Sequence, residues 1–329
     1  MWAVEVEDLH KIYPGGVKAL NGVSFKVSKG EVYSLLGPNG AGKTTTMKII
    51  ATLLKPTSGR VTVMGIDVVS NPDSVRKIIG YVPQELSADD ELTGMENVVL
   101  QARLYGISRD KAVRRARELL EMVGLGEAAN RLVKSYSGGM RRRLELAMGL
   151  VNEPELLILD EPTLGLDVQS KLSLWEHIER LRKEERVTIL MTTHYMDEAD
   201  KLSDRIAIID RGRVVAEGSP QELKARVGGD VIMIKISSDP MKVVEKLKII
   251  DGVRGVDVIE GNIRIKVNVA ETTLPEILKI FSSVDGKIEN ISITRPTLDQ
   301  VFIEYTGRMF RDEEPGDFRR QMMIWRRRR

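Results

Sequence analysis

The sequence predicts an α/β fold with a parallel sheet, followed by a small α+β domain. Three short and almost uninterrupted apolar runs are typical of parallel strands that are buried on both faces; they are Val32–Leu36, Leu156–Asp160 and residues 187–193. Each run is followed by a turn or a helical pattern, which is the alternation of a layered α/β core. After residue 229, the order strand, helix, strand, strand, helix, strand predicts a ferredoxin-like unit.

The composition is that of a soluble globular protein with room for two domains. The chain has 329 residues, of which 42% are hydrophobic and 30% charged, and no apolar stretch approaches the length of a membrane-spanning helix. We expect no signal peptide, because the amino terminus lacks a basic start and an apolar segment. Cysteine is absent, which excludes disulfides and cysteine-based zinc sites and fits the cytosol. A net charge of +2 implies no general attraction to nucleic acid.

We predict three regions along the chain. Residues 1–228 form the α/β domain, and helical patterns replace strand signals over about 85–150, which predicts a helical subdomain. Residues 229–306 form the ferredoxin-like domain, which offers no catalytic constellation and is interpreted as a packing or regulatory module. Residues 307–329 form a basic tail that ends RRQMMIWRRRR. Trp325 and its arginines could touch anionic headgroups or a membrane partner, although a purely solvated tail is the favoured interpretation.

Helix-capping residues mark the boundary between the first two regions. Ser219 can cap the amino terminus of a helix, with Pro220 at its first position and Glu222 completing a capping box. Gly228 and Gly229 can then end that helix. The sequence therefore predicts a short helix between Ser219 and Gly228.

The segment GPNGAGKTT matches the phosphate-loop pattern G-x-x-x-x-G-K-[ST]. It follows a predicted strand and opens a helix predicted over residues 43–54, which is the context that the pattern requires. The glycines let backbone N–H groups close around the β-phosphate, Lys43 reaches the β- and γ-phosphates, and the Thr44 hydroxyl ligates Mg²⁺. An ordinary glycine-rich turn is disfavoured by this context. The predicted phosphate-binding residues are Gly37, Pro38, Asn39, Gly40, Ala41, Gly42, Lys43, Thr44 and Thr45.

Two carboxylates end the apolar strand in the segment LLILDEP. Asp160 at this position can hold Mg²⁺, and Glu161 can polarise the attacking water. Acidic residues commonly end strands, so the pattern is weak alone. Together with the phosphate loop it predicts a nucleotide-hydrolysing site.

A second anion-binding feature lies in YSGGMRRRLELA. Ser137, Gly138 and Gly139 precede a helical run whose apolar residues recur on one face. Bare backbone N–H groups at a helix start bind anions. The chain therefore offers a second phosphate cradle besides its phosphate loop.

Three further side chains are weak candidates by themselves. His194 follows a predicted strand, and its place at the carboxyl end of that strand puts it near the γ-phosphate edge, although lone histidines are more often structural. Gln84 in YVPQE could equally be an exposed loop residue. Tyr13 in KIYPGG could stack on a base or simply pack beside its turn.

Taken together, these segments resemble the ATP-binding subunit of ABC transporters over about residues 1–218. The matching segments, in the family's order, are GPNGAGKTT, YVPQE, YSGGM, LLILDEPTLGLD and TTH. YSGGM departs from the commonest signature, LSGGQ, because Tyr136 replaces Leu and Met140 replaces Gln. This form, with a carboxyl-terminal PTLDQVFIEYTG, resembles the drug-resistance branch related to daunorubicin and lipid exporters.

The resemblance resolves the weak candidates. It implies that Tyr13 stacks on adenine, and that Gln84 touches Mg²⁺ and the water and couples to the membrane partner. It identifies His194 as the switch histidine, Glu161 as the catalytic carboxylate and Asp167 as part of a dimer-contact loop.

It also explains the second cradle. Ser137, Gly138 and Gly139 match the signature motif, which in this family faces the ATP on the other subunit of a head-to-tail dimer. The resemblance thus implies a homodimer, or a pair with a related ATPase, that binds ATP and Mg²⁺ at shared sites. It further implies a separate transmembrane permease and a location on the inner face of the cell membrane, with no nucleic-acid partner.

Two alternative functions, a soluble ABC ATPase that acts on DNA or ribosomes and a small-molecule kinase, fit the sequence less well than transport. Soluble ABC ATPases that act on DNA carry long coiled coils between phosphate loop and signature, and no sustained heptads occur between Lys43 and Ser137. Those that act on ribosomes usually carry two cassettes, whereas this chain has one phosphate loop. A small-molecule kinase would leave the signature unexplained.

Overall fold

The computed structural model describes residues 2–236, 241–259, 262–282, 288–294 and 296–307. Apart from Gly307, the predicted basic tail with Trp325 lies outside these residues. The chain divides into two compact units between Glu217 and Gly218, and each is described by itself. Within the described residues, no helix has the length and apolar character that spanning a bilayer requires.

Strands and helices alternate through the first unit. The strands are β1 (Trp2–Ile12), β2 (Lys18–Ser28), β3 (Val32–Leu36), β4 (Ser58–Val63), β5 (Ile66–Asp67), β6 (Ile79–Val82), β7 (Leu156–Asp160), β8 (Thr188–Thr193), β9 (Arg205–Asp210) and β10 (Arg213–Gly218). The helices are α1 (Lys43–Ile50), α2 (Pro72–Ile78), α3 (Gly94–Leu104), α4 (Arg109–Met122), α5 (Gly138–Gly149), α6 (Val168–Glu185) and α7 (Met196–Leu202).

A six-stranded sheet in the order β10-β9-β3-β8-β7-β6 forms the centre of this unit. The pairings β3–β8, β3–β9, β7–β8 and β6–β7 are all parallel. Every residue of β3, β7 and β8 is buried, which explains their apolar runs and confirms the predicted parallel α/β fold. Because the pairing is in register, the carboxyl ends of these three strands meet at one edge of the sheet.

A second sheet, in the order β2-β1-β4-β5, is antiparallel and was not predicted. The pairing of β1 with β2 contains several register shifts. Such shifts interrupt the alternation of apolar and polar residues that identifies a half-buried strand, so its sequence carries a weak signal.

The predicted helical region is present over residues 85–150, where the described elements are α3, α4, α5 and a short 3₁₀ turn, Val133–Ser135. The start of α3 carries a capping box between Thr93 and Glu96. The helix predicted over residues 43–54 is shorter than expected, because α1 ends at Ile50 and Thr52 adopts a left-handed conformation (φ 62°) that cannot continue it.

The second unit has the predicted ferredoxin-like order. Its elements are α8 (Pro220–Val227), β11 (Asp230–Ile236), α9 (Met241–Lys248), β12 (Val253–Ile259), β13 (Asn262–Val267), α10 (Ala270–Ser282), β14 (Ile288–Thr294) and α11 (Leu298–Thr306). The sheet order is β12-β13-β11-β14 and its pairings are antiparallel. The two helices α9 and α10 contribute Leu247, Ile277 and Phe281 to the apolar core of this unit.

The helix α8 has the predicted capping box, in which Ser219 and Glu222 hydrogen bond reciprocally, and it ends at Gly228. It packs against α11 of the second unit. The structural division therefore falls before α8, whereas the sequence-based boundary at residue 228 falls after it.

The start of α5 packs closely on the start of α6. A Cβ atom on Gly139 would lie 2.3 Å from Ser170 Oγ and 2.7 Å from its Cβ. Ser170 cannot move away freely, because its Oγ and N–H both donate to Asp167, the cap of α6. A Cβ on neighbouring Gly138 would meet no atom within 4 Å. Two adjacent glycines of the same motif thus have different structural constraints.

We expect Gly139→Ala to lower the free energy of unfolding by about 1–3 kcal/mol, since it overpacks the contact with Ser170. Gly138→Ala, the matched control, adds a methyl group to open space and should change stability by less than about 0.5 kcal/mol. Thermal and urea unfolding of the two full-length variants checks this difference. Equal stability of the two would contradict the packing argument.

Candidate functional site

The phosphate loop joins β3 to α1 in a backbone conformation that needs glycine at three positions. Gly40 and Gly42 have φ values of 79° and 109°, which residues with a Cβ rarely adopt. A Cβ on Gly37 would lie 2.2 Å from the carbonyl oxygen of Ile209 in β9. The loop therefore leads directly into the amino terminus of α1, where the first N–H groups have no intrahelical acceptors and can bind an anion.

Lys43 lies inside this loop with only 4% of its surface exposed. Its Nζ donates to the carbonyl oxygens of Gly37 (2.8 Å) and Pro38 (3.1 Å), and it lies 3.1 Å from Glu161 Oε1. An ammonium group has three N–H donors, so these three partners use all of them. Binding of a phosphate by Lys43 therefore requires that at least one of these interactions be exchanged.

Asp160, at the end of β7, faces the first turn of α1. Its Oδ1 accepts hydrogen bonds from Thr44 Oγ1 (3.1 Å) and Thr192 Oγ1 (2.6 Å). Its Oδ2 is buried and has no hydrogen-bond partner among the described residues. Burial raises the pKa of this carboxyl, against the two hydroxyl hydrogen bonds, which lower it.

These groups fit a magnesium ion. Mg²⁺ binds oxygen ligands and typically uses one or two carboxylates together with substrate phosphates and water. The unpartnered Oδ2 of Asp160 and the adjacent Thr44 hydroxyl provide such oxygens at the start of the phosphate-binding helix. Thr44 and Asp160 are thus the residues that could hold the metal.

Glu161 occupies an unusual backbone conformation for a residue with a side chain. Its φ of 49° is left-handed, which costs about 1–3 kcal/mol unless the surroundings hold it. Its N–H donates to Thr192 Oγ1 (2.9 Å), and its carbonyl oxygen accepts from Arg142 Nη2 (2.8 Å). The backbone is therefore fixed on both sides, and the side chain is directed between Lys43 and His194.

The charge state of Glu161 is set by these two neighbours. Burial raises its pKa, but the nearby His194 and Lys43 outweigh burial, and the net pKa lies below the ordinary value of a glutamate. His194 Nδ1 lies 3.3 Å from Glu161 Oε2, yet neither atom makes an aligned hydrogen bond. Glu161 is thus an ionised, buried carboxylate with one oxygen that remains available to accept a hydrogen bond from water.

The structure brings Tyr13 to the same region. Its hydroxyl lies 3.3 Å from Thr45 Oγ1 in α1, and the half-buried ring is covered on one side by Lys11, whose Nζ is 5.5 Å from the ring centroid. Tyr13 therefore lies beside α1, the helix that follows the phosphate loop.

Gln84 and Ser137 are not brought into hydrogen-bond contact with the phosphate loop. Gln84 is exposed in the loop after β6. Ser137 is an exposed cap, whose Oγ accepts from Met140 N–H (3.2 Å), and its described hydrogen bonds stay within its own helix. Gly138 is likewise exposed, and only Gly139 is buried. Asp167 caps α6 through Ser170, which lowers the pKa of its carboxyl.

Sequence reasoning did not identify three residues that support this site. Thr192 links Asp160 to the Glu161 backbone through its hydroxyl. Arg142 and Glu145 are buried on α5 and hydrogen bond to the surrounding loops. Glu145 lies between Leu144 and Leu146, which are both buried, and a charged residue inside such an apolar run is a detectable signal of a buried polar contact.

Comparisons with known proteins extend over nearly the whole chain. The ABC transporter family matches residues 20–164, and the carboxyl-terminal domain of DrrA1-3-like ATP-binding proteins matches residues 218–306. The daunorubicin/doxorubicin resistance ATP-binding protein DrrA of Streptomyces peucetius is 41% identical over 309 residues, covering 93% of this chain and 92% of that protein. The linearmycin resistance ATP-binding protein LnrL of Bacillus subtilis (strain 168) is 36% identical over 312 residues, covering 94% of this chain and all of that protein.

A solved structure shares the architecture. The dimeric, post-hydrolysis ATP-binding cassette MJ0796, bound to ADP and Pi, matches with a TM-score of 0.61 and 31% identity, over 66% of this chain and 98% of that one. This similarity agrees with the phosphate loop and the carboxylates assembled at the sheet edge. With DrrA similar over nine-tenths of both chains, this protein belongs to the ATP-binding proteins of ABC transporters, within the group of drug-resistance ATPases, and is an ATP hydrolase.

Proposed function

We propose that this protein binds ATP with Mg²⁺ and uses its hydrolysis to drive export of a drug-like or lipid-like compound through a separate membrane permease. The observation that carries the proposal is the meeting of Lys43, Asp160 and Glu161 at one edge of the parallel sheet, beside Thr44 and His194. One relative is named for resistance to daunorubicin/doxorubicin and another for resistance to linearmycin. These names support a drug-like or lipid-like cargo.

In this proposal each group acts on one part of the nucleotide. Lys43 and the loop N–H groups would bind the β- and γ-phosphates. Thr44 and Asp160 would hold Mg²⁺, whose charge would offset that of the phosphate oxygens. Glu161 would accept a hydrogen bond from the attacking water, orient it and act as the base that takes up its proton. His194 would position the carboxylate of Glu161 relative to the γ-phosphate, and Gln84 would contact the metal and the water.

Binding of ATP also changes the environment of Glu161. All three donors of the Lys43 ammonium are already used, by two carbonyl oxygens and Glu161, and we propose that the phosphate displaces Glu161. Loss of the lysine raises the proton affinity of the carboxylate, since an adjacent cation favours its charged form. The carboxylate thereby becomes a better hydrogen-bond acceptor for water when the substrate is bound.

The exposed start of α5 supports a shared site in a dimer. Ser137 and Gly138 are open on their outer side, and the positive end of a helix attracts anions. In the proposed arrangement the cradle of one subunit contacts the γ-phosphate held by the phosphate loop of the other, with Asp167 near the dimer contact and Tyr13 on the adenine. The assembly lies on the inner face of the cell membrane, against the permease.

We expect Glu161→Gln to retain ATP binding but to lower multiple-turnover ATPase activity by a factor of about 10² or more, because the amide cannot accept the proton of water. The ATP-bound dimer should accumulate, which size-exclusion chromatography with ATP can detect. Glu127→Gln is the matched control, since it makes the same change at an exposed position of the helical region. Turnover of the Glu161 variant close to that of the control would remove Glu161 from this role.

A mixed dimer tests the shared site. Lys43→Ala removes the phosphate-loop lysine, and Ser137→Arg fills the exposed cradle, so each homodimer should be nearly inactive. In a mixed dimer, one site inherits both defects, and the other combines an intact phosphate loop with an intact signature. Mixing should therefore restore part of the ATPase activity if one good site suffices for turnover.

Two different affinity tags establish that mixed dimers form. Dimers of each variant with wild-type chain provide the control, because they also retain one intact site. Activity in those control dimers, with none in the dimer of the two variants, would contradict the shared-site arrangement.

A further inference from the structure

Two buried charged side chains of α5 hydrogen bond to the two segments that pack beside this helix, the loop after β6 and the turn after β7. Arg142 and Glu145 lie one helical turn apart, and only 4% and 2% of their surfaces are exposed. Arg142 donates to the loop after β6 and to the turn after β7, whereas Glu145 accepts from the loop after β6. We call this pair the α5 clamp.

Arg142 hydrogen bonds to backbone carbonyl groups around both predicted functional loops. Its Nη1 donates to Pro83 O (2.7 Å), the residue before Gln84. Its other nitrogens donate to three successive carbonyl oxygens at the end of β7 and in the turn that follows, namely those of Asp160 (3.0 Å), Glu161 (2.8 Å) and Pro162 (2.6 Å). A rigid guanidinium plane thus fixes the position of the Gln84 loop relative to the Glu161 turn.

Glu145 holds the other end of the Gln84 loop. Its carboxylate accepts from Ser87 N–H (2.5 Å), Ser87 Oγ (2.7 Å) and Ala88 N–H (2.8 Å). The exposed Gln84 therefore lies in a short segment whose two ends are both bound to the same helix. If these hydrogen bonds persist, movement of this segment as a body displaces α5, and with it Arg142 and the Glu161 turn.

From these contacts we propose that the α5 clamp is a positioning device that couples the Gln84 loop to the orientation of Glu161, and so lets the state of that loop set the rate of hydrolysis. Arg142 contacts the carbonyl group of Glu161, whose left-handed backbone must be held in place to direct its carboxylate. The proposal rests on the proposed ATPase function and assigns a regulation to that same site. Neither residue touches the reacting atoms.

A double-mutant cycle on the full-length chain tests this coupling. Gln84→Ala should lower kcat in the wild-type background. Arg142→Lys keeps the positive charge but loses the planar fork, so it should lower kcat and leave the affinity for ATP unchanged, because Arg142 has no hydrogen bond to the phosphate loop. In the Arg142→Lys background, the fold-reduction of kcat caused by Gln84→Ala should be smaller by a factor of about five or more. Mutations of residues that act through one network have non-additive effects.

Arg143→Lys is the matched control on the same helix. Arg143 is also partly buried and donates to carbonyl groups, those of Val123 and Gly124, but these follow α4 and lie outside the two loops. Gln84→Ala should retain its full effect in this background. Independent effects of Gln84→Ala and Arg142→Lys, an equal loss of effect with Arg143→Lys, or no effect of Gln84→Ala at all would each overturn the proposal.

A second α5 variant and two ATPase measurements separate a failure of the α5 clamp from misfolding and from a failure of the proposed function. If Arg142→Lys does not fold, as judged by thermal melting, Glu145→Gln replaces it in the cycle under the same criteria, because the neutral amide loses the charged hydrogen bonds to Ser87 and Ala88. Wild-type turnover and the Glu161→Gln variant report on the proposed function separately. Suppose that hydrolysis depends on Glu161 but that Gln84→Ala and the α5 variant lower kcat independently. This result overturns the role of the α5 clamp and leaves the proposed ATPase function intact.

Discussion

The parallel pairing of β3, β7 and β8 is the constraint on which the candidate site depends. Leu36 pairs with Thr193, and Asp160 pairs with Thr192, so the three strands end at the same level. The phosphate loop, the two carboxylates and His194 follow these ends directly in sequence. A shift of one residue in the pairing of β7 with β8 would separate Thr192 from Asp160 and would redirect the side chains of the shifted strand to the opposite face. The register of a buried sheet thus sets the chemistry at its edge.

This edge concentrates buried charge, which is unfavourable unless each group finds partners. Lys43 and Glu161 pair with each other, and Arg142 is held by four carbonyl groups instead of a direct ion pair. Even so, Asp160 Oδ2 and Glu161 Oε2 are buried without hydrogen-bond partners among the described residues. These atoms mark where a metal ion and a water molecule would improve the local electrostatics.

Much of this arrangement could be predicted from sequence because its signals are local. The apolar runs, the phosphate-loop pattern and the capping box at Ser219 each depend on neighbouring residues. The structure confirms the buried strands and the capping box, and it places the phosphate-loop segment between a strand and a helix as expected. The contacts that could not be predicted are long-range. Gly139 is restricted by Ser170, and Arg142 by carbonyl groups on two other segments, and no spacing along the chain encodes such pairs. The irregular β1–β2 pairing was missed because its bulges break the strand period.

The helix α5 combines two environments that the signature motif alone does not reveal. Its first residues, around Gly138, are exposed and present N–H groups to the outside, whereas Arg142 and Glu145, one and two turns later, are buried beside the chain's own carboxylates. A helix is stiff over this length, because each turn is closed by backbone hydrogen bonds. In the proposed head-to-tail dimer, the start of α5 that one subunit offers to its partner would therefore be mechanically linked to the turn that positions its own Glu161. In such a dimer, the contacts of each ATP would depend on the conformation of the Glu161 turn in both subunits.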